Sequence, residues 1–138
     1  MPVKPLAAAG LVVIGLAGCA VPAPAVGTRT AELSVGGDGA TATQPVSCSQ
    51  TGWMWILESF AEEPGFTAVL RSGLDGAADS VQLRDIGGFT GAYWAGTTGS
   101  GEVNIEEGVF TVSGEAEGYF AEDPTDRVTV PYRVTARC

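Results

Sequence analysis

The chemistry open to this chain is set by three cysteines (Cys19, Cys48 and Cys138), by sixteen Asp and Glu residues, and by a complete lack of histidine. Without an imidazole, neither a Ser–His–Asp nor a Cys–His constellation can be assembled, and the usual nitrogen ligand for zinc is missing. Thiols and carboxylates are what remain. Glu106, Glu107, Glu115 and Glu117 lie close enough in sequence to raise a paired-carboxylate, glycosidase-like reading. Glu115 and Glu117 flank Ala116, however, and so leave a strand on one side, which is the pattern of a solvated acidic face. Glu122, Asp123 and Asp126 in "AEDPTD" offer the hard oxygens that Ca²⁺ takes, within a stretch that reads as a turn. "GGDG" and "GSGEV" do not lead into helices and fail as phosphate loops. The expectation is a chain that is not an enzyme, with no catalytic residue, metal or cofactor.

Cys19 has a different kind of chemistry. It ends "LAGC", which follows Lys4 and the uncharged run Leu6 to Gly18. That run has the size of a signal-peptide core, and as a helix it would rise only about 20 Å, short of the roughly 30 Å of a hydrocarbon layer. "LAGC" resembles the bacterial lipobox: a large apolar residue stands three positions before the cysteine, and small residues beside it give a peptidase access to the backbone. A diacylglycerol thioether on the Cys19 thiol, with a further acyl chain on the freed amine, would anchor firmly, since each buried methylene contributes about 0.8 kcal/mol. The competing reading is an ordinary secretory leader cut near an Ala-x-Ala-like site.

These groups need a frame to hold them. The precursor is 138 residues long, enough for one domain and its termini. The expected division is a signal peptide over 1–18, a lipidated Cys and Pro/Ala-rich spacer over 19–30, and a single β domain over 31–138. Pro22 and Pro24 make the spacer extended and semi-rigid. Without Lys4 the chain from Cys19 has six arginines against sixteen acids, a balance that repels nucleic acid and anionic headgroups. Attachment to a membrane must therefore be hydrophobic, through the anchor.

Beyond Thr30 the pattern is β. Ala31, Leu33 and Val35 share a face in "AELSV" before the turn "GGDG". Val46 and Cys48 share a face in the next short strand. "WMWILESF", residues 53–60, is apolar enough for a buried helix, but its Trp, Ile and Phe content and the break at Pro64–Gly65 favour a strand. Further strands follow in "FTAVLRS", "SVQLRDI", "GFTGAYWAG", "EVNIEE" and "VFTVSGEAE". The last, "RVTVPYRVTARC", alternates throughout, with Val128, Val130, Tyr132, Val134, Ala136 and Cys138 on one face; Pro131 there predicts an edge or a bulge. The fold class is mainly β: an antiparallel sandwich or partly open barrel of about eight to nine short strands with at most one short helix.

With Cys19 acylated, Cys48 and Cys138 remain as a pair. Both lie on inward-reading faces, and export would put them in an oxidising compartment, so a disulfide is expected. The aromatics raise a second possibility. Trp53 and Trp55 share a strand face, and Tyr93 and Trp94 fall on opposite faces of theirs, so one of that pair must be exposed or lie in a groove. Aromatics with polar edges suit sugar rings or acyl chains, which makes Trp53, Trp55, Tyr93 and Trp94 candidate ligand-binding residues; plain core packing is the alternative.

Taken together, the lipobox leader, "ELSVGGDG", Cys48, the glycine-studded middle from Gly87 to Phe120 and the closing "VPYRVTARC" resemble the mycobacterial 19 kDa lipoprotein antigen family over essentially the whole chain. The resemblance implies acylation at Cys19, a Cys48–Cys138 disulfide, and a non-enzymatic role as a surface antigen, adhesin or Toll-like receptor agonist. It implies residence on the extracytoplasmic face of the cell membrane. Host receptors or envelope glycolipids are the partners it suggests, and nucleic acid is not among them. The spacer departs from the better-known members, being short and Pro/Ala-rich rather than long and Ser/Thr-rich, so their O-glycosylation is not carried over. "WMWILESF" is also more aromatic than expected of a member.

Overall fold

The protein is seen in a computed structural model that describes residues 29–37, 41–73 and 76–138; the expected leader, Cys19 and the spacer up to residue 28 lie outside them. Among the described residues nine strands occur: β1 (Thr30–Val35), β2 (Thr41–Thr51), β3 (Met54–Ser59), β4 (Gly65–Arg71), β5 (Ala77–Ile86), β6 (Phe89–Trp94), β7 (Glu102–Glu106), β8 (Val109–Phe120) and β9 (Asp123–Arg137). The described residues contain no helix.

All pairings are antiparallel and form one sheet whose order returns on itself. β1 to β6 pair in sequence, β6 then pairs with β8, β8 with β9, and β9 with β1. β7 lies against the first half of β8 and touches β5 only at Ala77↔Glu102. Because neighbours run in opposite directions, the turns sort onto two ends. The end at which β1 begins, called here the tether end, also holds the β2–β3 turn, the β7–β8 turn and Cys138. The far end holds the β3–β4 loop, the β5–β6 turn and the β8–β9 turn.

Alternation fills the interior. Leu33, Val46, Leu57, Phe66, Leu70, Val81, Leu83, Ile86, Phe89, Val112 and Val134 are fully buried, and Ala31, Ala68, Ala116 and Ala136 supply small partners for the rings. Burying each large side chain contributes about 1.5 to 3 kcal/mol, which makes this row the main source of stability. The alternation of the last strand holds, with Tyr132, Val134 and Ala136 buried. β1 pairs with β9 from Tyr132 to Ala136, and the contact on that side ends where the Gly36 amide donates to the Pro131 carbonyl (2.8 Å), so Pro131, which has no N–H to give, stands at the end of the β1 neighbour.

Two details differ from the sequence expectation. "WMWILESF" does form a strand, but only Met54–Ser59; Trp53 is instead the second residue of a tight turn. Thr51 pairs with Met54 across Gly52–Trp53, and Gly52 takes φ 58°, the left-handed backbone that a two-residue hairpin requires. Trp53 and Trp55 therefore do not share a strand face. β9 also begins earlier than the alternation suggested, taking in Asp123 and Pro124.

Glycine is required where β6 meets β8. A Cβ on Gly118 would run into the Thr90 carbonyl and Gly91 Cα, and one on Gly91 would meet the Phe89 ring and the Glu117 carbonyl. This close approach draws the outer faces of the two strands together.

Candidate functional site

At the tether end, β2 and β3 continue past the start of β1. The Val46 amide donates to the Arg29 carbonyl (2.9 Å), and from there the hairpin runs on to Thr51 without a neighbour on the β1 side. Cys48 of this extension is bonded to Cys138, with Cα atoms 5.9 Å apart and a sequence separation of 90. Next to the bridge, Trp55 packs on Phe110 with ring centroids 4.8 Å apart. The Cys138 amide donates to the Gly108 carbonyl (2.8 Å), which ties the C-terminus to the β7–β8 turn. A loop of this length, once closed, constrains the unfolded chain by about 4 to 5 kcal/mol in the chain-entropy account.

The four aromatics read from the sequence are placed in three different settings. Trp55 is half-buried on Phe110, and Tyr93 is buried, donating from its hydroxyl to the Ala78 carbonyl at 3.0 Å. Trp53 is 74% exposed at the hairpin tip, and Trp94 is 44% exposed on the outer face of β6. Tyr93 and Trp94 do point to opposite sides, as period-two geometry requires. The fold does not bring the four into one groove.

Trp94 has another aromatic companion, Tyr119, which sequence reading missed. Thr90 pairs with Tyr119 and Ala92 with Glu117, so Tyr119 lies on the outer sheet face about 13 Å along the strand from Trp94. Both line a shallow groove of about 330 Å³, together with Gln82, Arg84, Glu117 and Arg127. Ala92 keeps its floor low. Arg84 is held by donation from Nε to the Glu62 carbonyl (2.8 Å) and from Nη1 to Thr67 Oγ1 (3.2 Å). Arg127 approaches Glu117 at 3.7 Å, a largely exposed pair that contributes little to stability. The groove thus offers two aromatic faces and planar polar edges. It offers no nucleophile with an adjacent base.

Beneath this face, Tyr132 donates from its hydroxyl to the Ser100 carbonyl (2.9 Å). Burial, with a smaller contribution from the neighbouring Tyr93, pushes its phenol well above the usual tyrosine range. The segment Ser100–Gly101 is held as a strap: Ser100 and Glu115 exchange backbone hydrogen bonds, and a Cβ on Gly101 would strike the Tyr93 ring. Asp123 and Thr125 hydrogen-bond to each other at 3.0 Å, and among the described residues no three metal-ligating side chains converge.

The class of protein defined by these features is a small all-β domain stapled by one disulfide. The chain belongs to the Mycobacterium 19 kDa lipoprotein antigen family, which it matches over residues 24–138. It is 30% identical over 130 residues to "Probable lipoprotein LppE" of Mycobacterium tuberculosis, covering 93% of this chain and 91% of that one. A "Putative lipoprotein" of Mycobacterium indicus pranii is 29% identical over 124 residues (89% and 88% covered), and another of Mycobacterium avium subsp. hominissuis is 27% identical over 132 (95% and 91%). Membership makes it a lipoprotein of the membrane-anchored envelope class.

Proposed function

We propose that this protein is held by acylated Cys19 on the extracytoplasmic face of the cell membrane and acts without catalysis, as a displayed antigen or adhesin-type surface protein. The observation that carries this reading is the arrangement of the termini. Arg29, where the spacer joins the domain, and Cys138, fixed by its disulfide, lie at the same end. A tether at that end leaves the opposite turns free to meet antibodies, host receptors or neighbouring envelope molecules. The absence of histidine supports the non-catalytic part of the reading. Radiolabelled palmitate should enter the wild type and not Cys19→Ala, and protease added to intact cells should cleave the wild-type domain. Equal label in both chains would overturn the anchor; protection from protease in intact cells would overturn surface display.

A second reading is favoured by the Trp94–Tyr119 groove. Its volume falls at the lower end of the range for small-ligand sites, and its aromatic faces with Gln82, Arg84, Glu117 and Arg127 suit the sugar portion of an envelope glycolipid. Mass spectrometry of the purified protein should then detect a co-purifying glycolipid that Trp94→Ala lacks. Identical spectra from both proteins would remove this reading.

A further inference from the structure

We propose that the β2–β3 hairpin tip, Trp53 with Met54, is a membrane-contact element that sits in the interfacial layer of the same bilayer that holds the Cys19 anchor. This inference rests on the anchoring reading above and adds a specific orientation to it.

The geometry begins with where the chain leaves the domain. Arg29 is level with Val46, and β2 continues from there to Thr51 before turning, an overhang of about 20 Å along the strand. The hairpin therefore reaches further toward the tether side than the point at which the tether joins. From Cys19 to Arg29 the chain spans about ten residues, at most roughly 35 Å when fully extended. The overhang takes up more than half of that reach. The tip and the acylated cysteine can lie in one plane with the spacer only partly stretched, and the tip has little room to stand far from the bilayer.

The composition of the hairpin fits that position. From Ser47 through Leu57 there is no charged residue, in a chain where sixteen acids face seven bases overall. A two-residue turn is usually filled by small polar residues that water solvates well. Here the second position is tryptophan, 74% exposed, followed by Met54 at 41%. The fold gains little from that indole, since most of it touches no neighbour. An indole presents an apolar body and one N–H donor, the combination that concentrates at membrane–water interfaces.

The tip is also firmly mounted. The Ser72 amide donates to the Trp53 carbonyl (2.8 Å), and the disulfide and the Trp55–Phe110 contact brace the base of the hairpin. Met54 pairs across the strands with Arg71, whose charge is met by Asp79, with Nε to Oδ1 at 2.8 Å. The largest exposed apolar groups elsewhere are differently placed: Phe60 is in the loop at the far end, and Trp94 and Tyr119 lie on the outer sheet face. Glu62, Glu63, Asp85, Glu122, Asp123 and Asp126 lie at or near the far end, while the exposed Glu106 and Glu107 of the β7–β8 turn share the tether end with the hairpin, whose own residues 47–57 carry no charge.

The test uses the acylated mature lipoprotein in phosphatidylcholine vesicles, with and without brominated phosphatidylcholine, whose bromine quenches nearby tryptophan. Brominated lipid should quench the wild type and Trp94→Phe alike, and Trp53→Phe should lose most of that quenching. Flotation with the vesicles, measured on the same samples, reports the anchor separately. Proteins that float while showing no quenching, or quenching that survives Trp53→Phe, would overturn the hairpin contact and leave the anchor standing. A wild type that does not float would overturn both. As a second measure, the non-acylated Cys19→Ser chain should bind phosphatidylcholine vesicles about tenfold more weakly once Trp53→Ser is added. Equal binding would count against the proposal.

Discussion

The two ends of the strand ring are built on opposite principles. At the tether end, the Cys48–Cys138 bridge and the Trp55–Phe110 contact close an uncharged hairpin onto the C-terminus, beside the exposed Glu106 and Glu107 of the β7–β8 turn. At the far end, the loops and turns are short, acidic and exposed, with Glu62, Glu63, Glu122 and Asp123 facing water. The cross-link and these acidic turns thus lie at opposite ends of the ring.

Breaking the tether end should have the largest effect. Cys48→Ala with Cys138→Ala should lower the unfolding free energy by about 4 to 5 kcal/mol, read from denaturant unfolding with the m-value fitted for each chain, since the opened loop expands the unfolded state. It should also release the last residues of β9 to hydrogen exchange. Next, Phe110→Ala should cost about 3 to 5 kcal/mol, because it empties a buried position and removes the ring against which Trp55 packs. A loss below 1 kcal/mol for both variants would show that the tether end is not the stability centre.

An intermediate effect should come from pH. Tyr132 keeps its proton in the folded state past the ordinary phenol value of 10.0, while the unfolded chain ionises near that value. Its contribution is therefore fully present below about pH 10 and is lost as pH rises from there. Denaturation midpoints should fall over that range in the wild type and fall less in Tyr132→Phe. The smallest effect belongs to the far end. Glu122→Gln with Asp123→Asn should change stability by no more than about 0.5 kcal/mol, since both residues are exposed and in a turn or strand end. A larger loss would mean that the far end carries structure as well as surface.

Much of the frame was legible in the residues because strand geometry writes itself as period two. Leu33 and Val35, Val46, and the series Tyr132, Val134, Ala136 could be assigned to the interior from alternation alone. The pairing of Cys48 with Cys138 followed from counting and facing. Trp53 was misjudged because an apolar run bears no mark of a turn other than Gly52, and a tryptophan in a tight turn runs against the usual polar preference. Tyr119 could not be linked with Trp94 at all. Their shared groove depends on the Thr90↔Tyr119 register and on the glycine contact between β6 and β8, a relation between residues twenty-five positions apart.

The order of residues alone was enough for an all-β body, its inward faces and its cross-link, since each of these depends on local pattern or residue chemistry. Only the folded ring decided that Arg29 and the C-terminus share one end and that the hairpin overhangs it with Trp53 foremost. Those are matters of strand direction and register, and they exist only once distant segments have paired.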